Sequence, residues 1–310
     1  MSEPTSPAAP DGAPLISDDS AASPATLASQ QDGSQRDSSE PVEYRARILS
    51  FSGRSSRLKG RQKDAWAELG PKYIIETPRA QARTSVASDA TLDIAAAFGR
   101  EGAPTIIEIG SGQGECVANA AAARPEANFL PVEVYSPGIA STLYRIRRMG
   151  LENVRIIQAD AAEVLGRYVP DASAAELWIF FPDPWHKSRH HKRRLIQPAF
   201  PPKAARVLQE GGIWRLATDW LEYAEQMVEV IDASPYFDRV PDQGRFEGRV
   251  LTSFERKGLE KGRVITDLTY RRNAVPVSAL DREAIAHEDD YVRPESLGAP
   301  SASEGVHNED

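Results

Sequence analysis

Thr105-Ile106-Ile107-Glu108-Ile109-Gly110-Ser111-Gly112-Gln113-Gly114-Glu115 is the stretch from which the fold can be read. A short apolar run leads into alternating glycines and then into an Ala-rich segment, 115–123. A strand, a turn whose glycines let a ligand approach the backbone, and a helix make the opening unit of a parallel α/β sheet. A dinucleotide turn, G-x-G-x-x-G, requires glycine at position 115. Glu115 stands there instead, and a carboxylate at a helix N-terminus opposes a bound pyrophosphate.

Outward from this unit, strand and helix patterns alternate. Apolar runs predict strands at 105–109, 128–134, 154–158, 177–181, 213–217, 237–240 and 263–270. Helices are expected at 115–123, at 137–149 with Pro137 in the first turn, at 161–168, at 198–209 ending on Gly211-Gly212, and at 221–233. Right-handed crossovers then give a three-layer, Rossmann-like α/β fold. Its sheet is expected to be mostly parallel and seven-stranded, with helices on both faces.

Three acids fall at successive expected strand ends: Glu108, Glu133 and Asp160. With Gly110 and Gly112 they suit a cationic, ribose-bearing ligand. S-adenosylmethionine, with its sulfonium and ammonium groups, is such a ligand, and the fold is then that of a class I methyltransferase. The competing reading makes each acid a helix cap or first-turn residue. A fourth acid, Asp183, sits between Pro182 and Pro184 after the buried run Leu177-Trp178-Ile179-Phe180-Phe181. Ligands of open α/β sheets bind at such carboxyl ends. The residues that follow Asp183 include Lys187, Arg189, Lys192, Arg193 and Arg194, interleaved with His186, His190 and His191. A rigid acid followed by a cationic surface suits base chemistry on a polyanion. A basic run is otherwise only a solvated face.

The net charge of −8 conceals a division. Residues 1–43 hold 8 acidic and 1 basic side chains, and residues 274–310 hold 9 and 2, each net −7. The stretch 44–273 is therefore +6. Both ends are poor in large apolar groups and read as disordered acidic tails around a methyltransferase domain at 44–273, whose first part, 44–75, is basic. Residues 279–287 carry a frayed-helix pattern. Cys116 is the only cysteine and reads as a small buried helix residue, so no disulfide and no metal site is expected. No apolar run is long enough to span a membrane, and no leader pattern opens the chain. A cytoplasmic protein is expected.

With these residues in view, the chain resembles the bacterial tRNA (guanine-N7-)-methyltransferase family over about residues 45–273. The resemblance rests on Arg57-Leu58-Lys59-Gly60-Arg61-Gln62-Lys63 with Pro71-Lys72-Tyr73, on Glu108-Ile109-Gly110-Ser111-Gly112, and on Val132-Glu133-Val134-Tyr135-Ser136-Pro137-Gly138. It also rests on the 182–195 block, Ala217-Thr218-Asp219-Trp220, and Thr252-Ser253-Phe254-Glu255-Arg256-Lys257-Gly258. Ser111 stands where the family commonly has a bulky residue, and Tyr135 where it often has His. The resemblance implies methyl transfer from S-adenosylmethionine to N7 of a guanine in tRNA, usually position 46 of the variable loop. It implies cofactor contacts from Glu108, Gly110, Gly112, Glu133, Asp160 and Asp183, with Asp183 also catalytic. It implies substrate contacts from Lys187, Asp219, Thr252, Ser253, Phe254 and Glu255, and RNA contacts from Arg189, His190, His191, Lys192, Arg193 and Arg194. The partner is tRNA, the chain is a monomer or homodimer, and no obligate protein partner is implied. Two other readings remain at this stage: another nucleic-acid base methyltransferase, and a tRNA-binding module without catalysis.

Overall fold

The computed structural model describes residues 57–80, 84–241 and 244–288. Side-chain alternation builds its layers. Ile106 joins one apolar cluster and Ile107 the other, because successive residues of a strand face opposite sides. Strand β1 (Thr105–Ile109) is buried at every position and lies inside the sheet. Parallel to it run β2 (Asn128–Val132) on one side and β3 (Ala174–Phe180) on the other. Beyond β3 lie β4 (Leu208–Thr218), antiparallel β6 (Thr266–Arg272) and, at the edge, β5 (Phe237–Arg239). The described strands thus form one six-stranded sheet, ordered β2-β1-β3-β4-β6-β5.

One face of the sheet carries α1 (Arg61–Tyr73), α3 (Glu115–Ala123) and α4 (Ser136–Met149), around a core of Phe129, Leu143 and Trp178. The other carries α2 (Ile94–Phe98), a helical segment that starts as α5 (Ala161–Glu163) and continues as a π turn (Val164–Tyr168), α6 (Phe200–Val207) and α7 (Leu221–Asp232). Helix α8 (Ser253–Glu260) lies between β5 and β6 in the chain. The three-layer, Rossmann-like arrangement read from the sequence is the one observed.

Three expectations change in detail. The strand expected at 154–158 is only a row of bridges: Phe129 pairs with Val154, and Val132 with Ile157. Its neighbour β2 contains Pro131, which has no N–H to give to a ladder. Gly211-Gly212 does not end a helix. Helix α6 stops at Val207, and the two glycines lie inside β4, where the pairing with β3 slips between Ala174 and Glu176. Gly211 has φ +77°, so it accommodates the extra residues of a bulge.

The third change concerns the C-terminal tail, read as disordered from residue 274 apart from a frayed-helix pattern at 279–287. The helix is present as α9 (Ala279–Glu288), and it is docked on the domain. Val277 and Ile285 are buried in the core, Tyr236 Oη donates to Asp281, and Arg282 Nη1 lies 2.6 Å from Asp171 Oδ2. Two apolar anchors and an ion pair suffice to dock an otherwise polar helix. The N-terminal tail, residues 1–43, and the last part of the C-terminal one, 289–310, lie outside the described residues. Of the basic segment 44–75, residues 57–75 are described. Helix α1 there packs on α4, with Tyr73 Oη donating to the Leu151 carbonyl at 3.0 Å.

Candidate active site

The carboxyl ends of β1, β2 and β3 open on a cavity of about 350 Å³. Its floor is the glycine turn. A Cβ at Gly138 would run into the Gly112 carbonyl, so α4 approaches this turn only because residue 138 is glycine. Arg145 of α4 donates from Nε to the Gln113 carbonyl at 3.0 Å and from Nη2 to Glu115 at 3.3 Å, fixing the turn from outside.

Glu133 closes the turn. Its Oε2 accepts the Gly112 N–H at 2.8 Å, and its Oε1 accepts those of Val134 and Tyr135 at 2.8 and 2.9 Å. Three backbone donors hold the carboxyl in place at the end of β2, beside the glycine turn. Glu108 is the opposite case. It is buried and lines the same cavity, yet its Oε2 has no hydrogen-bond partner. Burial, reinforced by the nearby Glu133 charge, pushes its carboxyl up to about 8. A buried carboxyl with one oxygen unpaired in a cavity wall fits a cationic ligand group, which would supply the missing charge.

Asp160 is placed otherwise than as a cavity-facing acid. Its Oδ1 caps α5 by accepting from Ala162 and Glu163, and its neighbours Ala159 and Ala161 form the wall. Asp183 does line the cavity. It is flanked at two residues' distance by Phe181 (φ +53°) and Trp185 (φ +47°), non-glycine residues in the left-handed region. Each such residue costs on the order of 1–3 kcal/mol and persists only where its surroundings impose it. Arg194 holds this loop at Pro184. Its guanidinium is buried, donating to the Pro184 carbonyl at 2.8 Å and to Gln226 of α7 at 2.6 Å. Arg194 is therefore a clamp on the Asp183 loop and not the surface RNA contact expected.

The rest of the basic run is on the surface. Lys187, Arg189 and Lys192 are exposed around a short 3-10 turn, Ser188–Arg193. The Arg193 guanidinium lies 3.9 Å from the Trp185 ring centroid, so one face of that ring is already covered. Partial desolvation and the surrounding cations Arg189, Arg193, Lys187 and Lys192 hold His190 below its ordinary pKa. His191 lies 3.4 Å from Glu222.

The expected substrate segment divides in two. Thr252, Ser253 and Phe254 line the cavity mouth, with Phe254 exposed. Thr252 caps α8 by accepting the Glu255 N–H at 3.2 Å, and the Ser253 N–H donates to Glu115 Oε2 at 2.6 Å. Glu255 itself is 1% exposed and points away from the cavity, into an ion pair with Arg249 and Arg245. Asp219 is paired with Arg263 at 2.7 Å and packs against Gly258 of α8. Neither acid is set as a cavity-lining contact. Sequence reading missed Arg145, Arg249 and the bond from Ser253 to Glu115. They are partnerships across the fold, and no local spacing announces them.

The methyltransferase family Methyltransf_4 matches residues 102–268, the stretch that carries this cavity. The tRNA (guanine-N(7)-)-methyltransferase of Paenarthrobacter aurescens is 44% identical over 280 residues, covering 74% of this chain and 93% of its own. That of Cutibacterium acnes is also 44% identical, over 273 residues, covering 85% and 98%. The chain belongs to the tRNA (guanine-N(7)-)-methyltransferase family. Among solved structures, an antibiotic-resistance methyltransferase, Kmr, superposes with a TM-score of 0.42 at 17% identity, covering 61% of this chain and 98% of its own. Among the described residues, no helix is long and apolar enough to cross a membrane.

Proposed function

We propose that the protein transfers the methyl group of S-adenosylmethionine to N7 of a guanine in the variable loop of tRNA, forming 7-methylguanosine. The observation that carries this reading is the pairing, in one cavity, of the buried Glu108 carboxyl, whose Oε2 is unpaired, with Asp183 at the root of an exposed basic stretch. When bound, the sulfonium cofactor supplies the methyl carbon and leaves as a neutral thioether.

The residues divide the remaining work. Glu108 faces the cofactor's cationic end, Gly110 and Gly112 let the backbone approach it, and Glu133 presents lone pairs to the ribose. Asp160 holds the turn at the adenine side. Guanine N7 has a lone pair and no proton at neutral pH, so no base is required to form the nucleophile. What is required is alignment of N7 with the methyl carbon. Asp183 orients the base through its ring-edge donors and stabilises the positive charge that develops on it. Thr252, Ser253 and Phe254 bound the base at the cavity mouth. Lys187, Arg189, Lys192 and Arg193 meet phosphates and set the register of the RNA.

Unmodified tRNA incubated with the protein and labelled cofactor, then cleaved by chemistry selective for 7-methylguanine, tests the reading. One cut in the variable loop is expected. Label without that cut would assign the methyl group to another atom.

A further inference from the structure

Arg249 is the largest charged side chain with essentially no exposure among the described residues. It lies in the connection between β5 and α8, away from any regular element. Its Nε and Nη2 donate to Asp267 of β6, at 3.2 and 2.7 Å, and its Nη1 lies 2.7 Å from Glu255 Oε2 of α8, off the line of a good hydrogen bond. Its carbonyl accepts Arg245 Nη2 at 2.6 Å, and Arg245 also reaches Glu255. The guanidinium stands 5.7 and 5.4 Å from the ring centroids of Phe180 and Phe181. Those two residues line the cavity and lead directly into Pro182 and Asp183.

Arg249 therefore touches three things at once: the start of α8, the strand β6, and the strained root of the Asp183 loop. Neither Arg249 nor Glu255 lines the cavity. A buried ion network is no more stabilising than a well-packed apolar one, so stability alone gives no reason for an arginine here. A planar fork does what apolar packing cannot: it fixes the separation of its partners.

We propose that Arg249 is a positioning residue for methyl transfer. It sets the distance between the Thr252–Ser253–Phe254 wall and Asp183, and Glu255 acts through it and not on the base. This rests on the function proposed above.

The test uses the full chain as wild type, Arg249→Lys, Glu255→Gln and the double variant. Melting temperature and cofactor affinity by calorimetry are read beside single-turnover methyl transfer at varied concentrations of unmodified tRNA. Each single variant is expected to lower the rate at saturating tRNA about tenfold, with cofactor affinity and half-saturating tRNA changed less than about threefold. The double variant should be no slower than the slower single, because both break one link and contacting residues are not additive. Should Arg249→Lys fail to fold, Asp267→Asn breaks the same link from β6 and carries the same expectation. Rates within threefold of wild type overturn the proposal. So does a multiplicative double variant, or a Glu255→Gln variant that raises half-saturating tRNA tenfold at unchanged saturating rate, since that places Glu255 on the base. A wild-type chain inert on tRNA refutes the functional reading and the positioning claim with it, whereas an active wild type with unaffected variants refutes the positioning claim alone.

Discussion

The two halves of the cavity are held by different means. On the cofactor side, Glu133 is fixed by three backbone N–H groups, those of Gly112, Val134 and Tyr135. On the substrate side, Arg194 ties the Asp183 loop to α7, and Arg249 ties α8 to β6. The first half is built by local backbone geometry. The second is built by buried arginines that reach across the fold. Charge changes should therefore perturb the first half through ligand affinity, and lost clamps should perturb the second through rate.

The largest expected effect belongs to the substrate half. Asp183→Asn should lower the single-turnover rate on the order of 10²–10³-fold, the usual cost of losing one electrostatic stabiliser of a transition state. Cofactor affinity, read by calorimetry, should fall far less. A tenfold or smaller change in rate would move the stabilising charge elsewhere.

Arg194→Met comes next. It leaves the Pro184 carbonyl and Gln226 without their buried donor, a loss of roughly 1–3 kcal/mol in stability. Thermal unfolding reads this directly. Relaxation of the strained loop should also slow transfer while cofactor binding is kept. Equal loss of both would show that the two halves are not held separately.

What was legible in the sequence follows the same division. The glycine turn, Glu108, Glu133 and the Pro-Asp-Pro loop could be read because residues close in sequence define them. The roles of Arg194, Arg249 and Glu255 could not. A basic run carries no sign of which member turns inward, and Arg194 is buried beside exposed Lys192. The resemblance made Glu255 and Asp219 substrate contacts, and nothing local shows their arginine partners: Arg263 lies 44 residues from Asp219, and Arg245 lies 10 from Glu255. The strand at 154–158 fails as a regular ladder through Pro131 in its partner strand, and the helix pattern at 279–287 was legible while its docking through Val277 and Ile285 was not.

The cofactor half has a pH signature. The folded protein keeps a proton on Glu108 up to about pH 8, whereas the unfolded chain gives it up near 4.5. Without ligand, stability should therefore fall as pH rises between those values, because the native state binds more protons there. A cationic ligand favours the ionised carboxylate, so cofactor affinity should rise with pH up to about 8 and then level. Glu108→Gln should remove both dependences in melting curves and in titration calorimetry. If affinity stays flat from pH 6 to 8 in the wild type, Glu108 does not face the cation.

The smallest effect concerns the surface. Replacing Arg189, Lys192 and Arg193 by Ala should weaken tRNA binding and flatten its dependence on salt. Each lost phosphate contact lowers the log–log slope by about 0.7 to 0.9. An unaltered slope would mark the run as a solvated face.

The central claim is that this cavity directs a methyl group to guanine N7. The most direct measurement compares unmodified tRNA with the same tRNA carrying 7-deazaguanine at the modified position, where a C–H replaces N7 and its lone pair. The account predicts that the substituted tRNA binds as tightly as the natural one and accepts no methyl group. Methyl transfer to the substituted tRNA at the natural rate would contradict it.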